Sequence, residues 1–175
     1  MLPFPDKKYQ IIYADPPWKI KKIQRKCRPN QINMDYSTME LKDIKDLCVE
    51  KIADDNSVLF LWTIQRYLKD SFDVMKAWGF KYQRTITWDK QNGMCLFGFH
   101  HRTEFLLFGY KGKLEIYPKR KAFPTLVQVK TDKHSKKPQI FRDLISAFGD
   151  TKIELFARKK TEGWDVWGDE VVGCE

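Results

Sequence analysis

YQIIYADPPWKI, residues 9–20, runs from a short apolar segment straight into Asp15-Pro16-Pro17-Trp18. Tyr9–Ala14 has the length and composition of a buried strand. It ends in a carboxylate, two residues with fixed φ and no N–H, and the largest aromatic side chain. In open α/β sheets ligands bind beyond the carboxyl ends of the strands, so Asp15 stands where such a site is expected. The prolines offer carbonyls without competing donors, and an indole face can stack on another flat ring. The set suits a planar heterocycle bearing an exocyclic amine. In that reading the Asp15 side chain and the Pro16 carbonyl accept the amine hydrogens, Pro17 stiffens the rim and Trp18 meets the ring. Aiming such a nitrogen at an electrophile is a matter of positioning and electrostatics.

Around that strand, helical and strand patterns alternate. STMELKDIKDLCVEKI (37–52) offers Ser37 and Thr38 as candidate caps and Glu40 in the first turn; its apolar spacing predicts a helix. SVLFLWT (57–63) reads as a strand, and RYLKDSFDVMKAWGF (66–80) as a helix ended by Gly79. RTITWDK (84–90), TEFLLFGY (103–110) and the shorter TLVQVKT (125–131) read as strands. PQIFRDLISAFGD (138–150) predicts a helix with Pro138 near its first turn and Gly149 past its end, and TKIELFA (151–157) is the last clear strand. Continuously apolar strands alternating with helices indicate an α/β, mostly parallel sheet covered on both faces. TEFLLFGY follows RTITWDK with no evident helix between them, so some antiparallel pairing is expected.

The 175 residues suffice for one domain with a real core, and 42% hydrophobic with 14% aromatic residues excludes a disordered chain. No apolar run approaches the roughly 20 residues of a membrane span, and the N-terminus lacks the features of a signal peptide. A cytoplasmic protein with no membrane partner is expected. Cys27, Cys48, Cys95 and Cys174 form no close pair, and only three histidines are present; reduced thiols and no metal site are expected. The net charge of +9 favours a polyanionic partner, nucleic acid first. The basic residues concentrate in two loop insertions of the single domain, about residues 19–35 and 111–124. From Lys19 to Met34 the first carries Lys19, Lys21, Lys22, Arg25, Lys26 and Arg28 without an acidic residue, and Lys21, Lys22 and Arg25 are candidate phosphate holders.

Further segments match Asp-Pro-Pro-Trp in a fixed order. DYSTMELKDI, VLFLWT, RTEFLLFGYKG, HSKKP and IELFARKKTEGWDVWGDE follow it along nearly the whole chain. Together they resemble the MT-A70 family of adenine-N6 methyltransferases, S-adenosylmethionine-dependent enzymes of bacteria, phages and eukaryotes. The resemblance implies a Rossmann-like methyltransferase fold with permuted order, the catalytic motif preceding part of the cofactor site. It implies that Asp15, Pro16, Pro17 and Trp18 hold and activate the target amine. Tyr36 would line the adenine pocket with Glu104 nearby, and Lys137 would reach the cofactor or the base. Glu154, Leu155, Phe156 and Arg158 would wall the cofactor, with Asp169 and Glu170 at its far end; Asp15 would face its sulfonium. Asp169 replaces an Asn common in the family.

The function so implied is methyl transfer to adenine N6 in nucleic acid, with DNA favoured over RNA, in a bacterial or phage-infected cell. RNA as substrate, a catalytically inactive nucleic-acid-binding subunit, and a generic nucleotide binder are the alternatives. The last lacks support, since no G-x-G-x-x-G follows any strand. A homodimer is carried as a hypothesis, because so small a domain has no separate recognition module.

Overall fold

The computed structural model describes residues 3–20, 38–93, 95–96, 98–113, 122–130 and 137–171. Tyr9–Ala14 is strand β1, and its apolar residues serve two cores. Tyr9, Ile12 and Ala14 face one, Ile11 and Tyr13 the other, which is why the run is continuously apolar rather than alternating.

After β1 come a short helix α1 (Leu41–Lys45), strand β2 (Ala53–Thr63), helix α2 (Leu68–Ala77) and strand β3 (Lys81–Asp89). A small hairpin, β4 (Cys95–Leu96) with β5 (Phe99–His100), precedes β6 (Thr103–Lys111) and β7 (Leu126–Gln128). Helix α3 (Gln139–Ile145) and strands β8 (Lys152–Leu155) and β9 (Asp165–Trp167) complete the order. The main sheet has seven strands in the order β7-β3-β6-β2-β1-β8-β9. Only β6 runs against its neighbours β2 and β3; the other pairs are parallel.

Helices cover both faces. Ile44 of α1 and Val74 and Met75 of α2 pack with Ile12, Leu59 and Leu61 on one side. Phe141 and Ile145 of α3 pack with Tyr13, Phe60 and Trp62 on the other, where Trp62 and Phe141 meet edge to face at 4.8 Å. Truncating a fully buried member such as Ile12 to Ala would cost about 2–5 kcal/mol. The architecture is the expected α/β, Rossmann-like one, with an antiparallel member. β1 precedes β8 and β9 in the chain by more than a hundred residues yet lies beside β8.

Several boundaries differ from expectation. The helix expected over 37–52 is reduced to α1 and a single 3₁₀ turn at Val49–Lys51. The chain must open there, because the Tyr9 N–H donates to the Ile52 carbonyl at 2.8 Å and β2 begins at the next residue. Thr38 does not cap α1; Glu40 is the cap residue and makes no side-chain cap bond, its carboxylate being paired with Lys19. Ser37 lies outside the described residues. β2 starts before its apolar run because exposed Asp55 and Asn56 carry its polar entry. Both β9 and the β4–β5 hairpin are too short for sequence periodicity to reveal. The two basic insertions lie mostly outside the described residues.

Candidate active site

The strand directions bring distant residues to one edge. β1 ends at Ala14 and hands Asp15 to the carboxyl edge of the sheet. Because β6 is antiparallel, its first residues lie at that same edge: Glu104 is paired with Trp88 near the end of β3, and Phe105 with Thr63 at the end of β2. Lys137 arrives from the segment that enters α3.

Four charges then alternate along the edge. The Lys137 ammonium lies 2.8 Å from Asp15 Oδ2 and 3.3 Å from Glu104 Oε2, and Lys90 Nζ lies 3.2 Å from Glu104 Oε1. Lys137 Nζ also sits 5.1 Å from the centre of the Trp62 ring, close enough for a cation–π contact. Burial works against the charge on Lys137, but Asp15 and Glu104 outweigh it and hold the ammonium above its ordinary value. Burial likewise works against Glu104, and Lys137 and Lys90 bring its carboxyl below the ordinary value. Lys137 and Glu104 are therefore both ionised at neutral pH.

The Asp-Pro-Pro-Trp turn is tied to its surroundings more fully than the sequence suggests. The Trp18 N–H donates to the Pro16 carbonyl at 2.8 Å, and the Met39 N–H to the Pro17 carbonyl at 2.9 Å. The Trp18 indole N–H donates to the Trp62 carbonyl at 3.1 Å. Its ring stacks on Tyr67 with centroids 5.2 Å apart, and Tyr67 donates its hydroxyl to the Lys19 carbonyl. Trp18, expected to stack on a substrate ring, is only 6% exposed and stacks on Tyr67, so that its indole anchors the turn. The Pro16 carbonyl, expected as a free acceptor, has one lone pair engaged by Trp18 and one remaining.

Beneath this layer lies a second pair that the sequence did not indicate. Arg142 of α3 grips Glu154 of β8 through Nη2 to Oε1 at 2.6 Å and Nε to Oε2 at 3.1 Å. The guanidinium also lies 5.6 Å from the Tyr13 ring centre, and the Tyr13 hydroxyl accepts from the Trp62 indole at 2.6 Å. Burial keeps the Tyr13 phenol protonated well past its ordinary range. Glu154, expected at the cofactor, has both of its oxygens paired with Arg142. The only sequence signal for this pair was an arginine between the buried Phe141 and Ile145 of the helix that precedes a strand carboxylate.

At the ends of β8 and β9 the outcome is mixed. Leu155, expected to wall the cofactor, has its side chain wholly buried in the core. Phe156 takes a left-handed turn at φ 61°, with its ring edge-on to Trp167 at 5.6 Å. Trp164 and Trp167 are core residues. Backbone passes so close here that a Cβ at Gly168 would lie 2.7 Å from the Ala157 carbonyl oxygen. Arg158 and Asp169 are exposed beyond the strand ends. Glu170 falls in the 3₁₀ turn Asp169–Val171, its side chain outside the described set. Tyr36, Lys21, Lys22 and Arg25 also lie outside the described residues. The structure thus unites Asp15, Glu104 and Lys137, and adds Lys90 and Trp62, which sequence reasoning did not select.

Known proteins match along the same span. The model of the MT-A70 family matches residues 9–170. A type II methyltransferase (M.MunI) of a Mycoplasma species is 34% identical over 95% of this chain and 79% of its own length. An N(6)-adenine-specific methyltransferase of Homo sapiens is 27% identical over 95% of this chain, which spans 38% of that protein. An N(6)-adenosine-methyltransferase MT-A70-like protein of Drosophila melanogaster is 27% identical over the same share of this chain, which spans 27% of its length.

Proposed function

The chain belongs to the MT-A70 family, and on that premise we propose that it methylates the N6 amino group of adenine in nucleic acid, with S-adenosylmethionine as donor and DNA as the favoured substrate. The observation that carries this reading is the placement of Asp15 at the carboxyl end of β1, within 2.8 Å of Lys137 and in one charge network with Glu104.

The donor set fits the cofactor. S-adenosylmethionine carries a sulfonium, a carboxylate and a ribose diol, and when bound it supplies an electrophilic methyl group. Asp15 favours the positive sulfur, Lys137 the carboxylate, and the exposed Asp169 after β9 can accept from ribose hydroxyls. Toward the substrate, Asp15 and the remaining lone pair of the Pro16 carbonyl accept the amine hydrogens. Glu104 and Lys137 offer one acceptor and one donor to the edge of the adenine ring. Trp18 and Tyr67 act as positioning residues that keep the turn from moving.

A duplex substrate must extrude its adenine to reach Asp15, at about a few kcal/mol. The basic insertions offset that through phosphate contacts, so activity falls steeply with salt. Retention of Asp15, Pro16, Pro17 and Trp18 supports an active enzyme over an inactive subunit. The chain is read as a cytoplasmic, single-domain enzyme of a bacterial or phage-infected cell that works as a homodimer; a monomeric mass at working concentration would contradict the dimer. A second reading, RNA as substrate, is favoured by the relative from Drosophila melanogaster, named for adenosine. Labelled-methyl transfer to matched DNA and RNA oligonucleotides decides between them. Greater transfer to DNA is expected, and transfer to RNA alone would replace the first reading with the second.

A further inference from the structure

Between β3 and β6 the chain leaves the edge that carries Asp15 and Glu104, makes the β4–β5 hairpin, and returns. The base of this hairpin is locked. Arg102 donates to both oxygens of Asp89, at 3.1 and 2.8 Å, and Gln128 and the Gln91 N–H donate to the same carboxylate at 3.2 and 2.9 Å. The Lys90 N–H donates to the Arg102 carbonyl at 2.9 Å. The two limbs pass so closely that a Cβ at Gly93 would lie 2.5 Å from the His101 carbonyl oxygen, so only glycine fits.

The tip is the opposite. Gly98 turns the chain at φ 80°, Leu96 pairs with Phe99, and Phe99 is left 74% exposed. No other exposed large hydrophobic side chain among the described residues is as open. The braced hairpin thus presents one open phenylalanine ring on a chain whose net charge of +9 favours a polyanionic partner. Phe99 is five residues from Glu104, which bounds their Cα separation at about 18 Å.

We propose that Phe99 is a wedge: it enters the stack of duplex DNA beside the target adenine and fills the gap left when that base swings toward Asp15. Apolar side chains inserted between base steps partly unstack a duplex, and an aromatic ring stacks on any base it meets. The rigid base of the hairpin lets the tip press on the duplex without folding back. The inference rests on the methyltransferase reading above.

The test uses the whole protein with Phe99→Ala and Phe99→Trp, and three DNA substrates of one sequence: a paired duplex, a duplex with an abasic site opposite the adenine, and a single strand. Phe99→Ala is expected to lower transfer to the paired duplex about ten-fold, the scale of one lost stacking contact. Transfer to the other two substrates should stay within about two-fold, because neither needs a paired base expelled. Phe99→Trp should retain wild-type rates on all three. The wedge is overturned by an equal loss on every substrate, by no loss on the paired duplex, or by a wild type that accepts single strands alone. Loss of a dimer in Phe99→Ala with all three rates lowered together would assign the tip to a protein contact instead. If the wild type methylates none of the three, the methyltransferase reading on DNA fails first and takes the wedge with it.

Discussion

Lys137 and Arg142 lie five residues apart, both meet carboxylates, and yet they build different things. Lys137 offers one compact ammonium to two carboxylates, at 2.8 and 3.3 Å, on the edge where the strands end. Arg142 offers a planar fork to one carboxylate and engages both of its oxygens. A rotatable point charge shared between partners can exchange them when a substrate arrives; a bidentate fork cannot without leaving a buried charge alone. The upper network is therefore suited to chemistry, and the lower pair to fixing α3 against β8. Side-chain exposure agrees, with Asp15 at 27% and Glu154 at 10%.

That contrast can be broken by substitution. Asp15→Asn keeps the shape but removes the charge, and should lower kcat/KM for methyl transfer about 10³-fold while the unfolding midpoint stays near wild type. A comparable loss of stability would mean that the upper network is structural after all. Arg142→Ala should do the reverse, destabilising the fold by about 3–5 kcal/mol in denaturant titration because Glu154 is left buried and unpaired. Arg142→Met combined with Glu154→Leu should recover most of that loss and retain activity. A double variant that folds but is inactive would place Arg142 in the chemistry.

Glu104→Gln sharpens the comparison from within the upper network. It leaves Lys137 to Asp15 alone and should reduce kcat/KM about ten-fold with stability changed by about 1 kcal/mol. The smallest effect is expected from pH. Lys137 has a raised value, so its contribution is complete below the ordinary 10.5 and is lost only as pH climbs through the folded value. Glu104 has a lowered value, so its contribution is complete above the ordinary 4.5 and is lost as pH falls through the folded value. These two groups should therefore impose no inflection on the rate profile between those limits. An inflection near neutrality that disappears in Lys137→Met would show that the lysine titrates within the working range. The Asp89 carboxylate, held by Arg102, the Gln91 N–H and Gln128 and lowered to about 2, should keep the hairpin base intact until pH falls to that range.

Strand-borne features were the most legible in the sequence. β1 and its acidic end could be read because a continuously apolar run stops at a carboxylate, and both faces of that strand are indeed buried. Asp15, Glu104 and Lys137 were all nominated from segments far apart, and one sheet edge unites them. What escaped was anything set by partner choice. That Trp18 is braced by Tyr67, nearly fifty residues away, could not be read from its own segment. The pairing of Glu154 with Arg142 likewise could not be read from the strand that carries it. The hairpin escaped for another reason: two-residue strands show no period, and its bracing rests on a salt bridge thirteen residues apart in sequence.

The central claim, that Asp15 positions an adenine amine for methylation, is tested most directly by the chemical identity of the product. Wild-type protein and Asp15→Asn would each be incubated with S-adenosylmethionine and an adenine-containing DNA duplex, and the recovered nucleosides resolved by mass spectrometry. N6-methyladenine from the wild type, with about a thousandth as much from the variant, is the predicted result. Methyl groups on any other atom, or equal N6-methyladenine from both proteins, would contradict it.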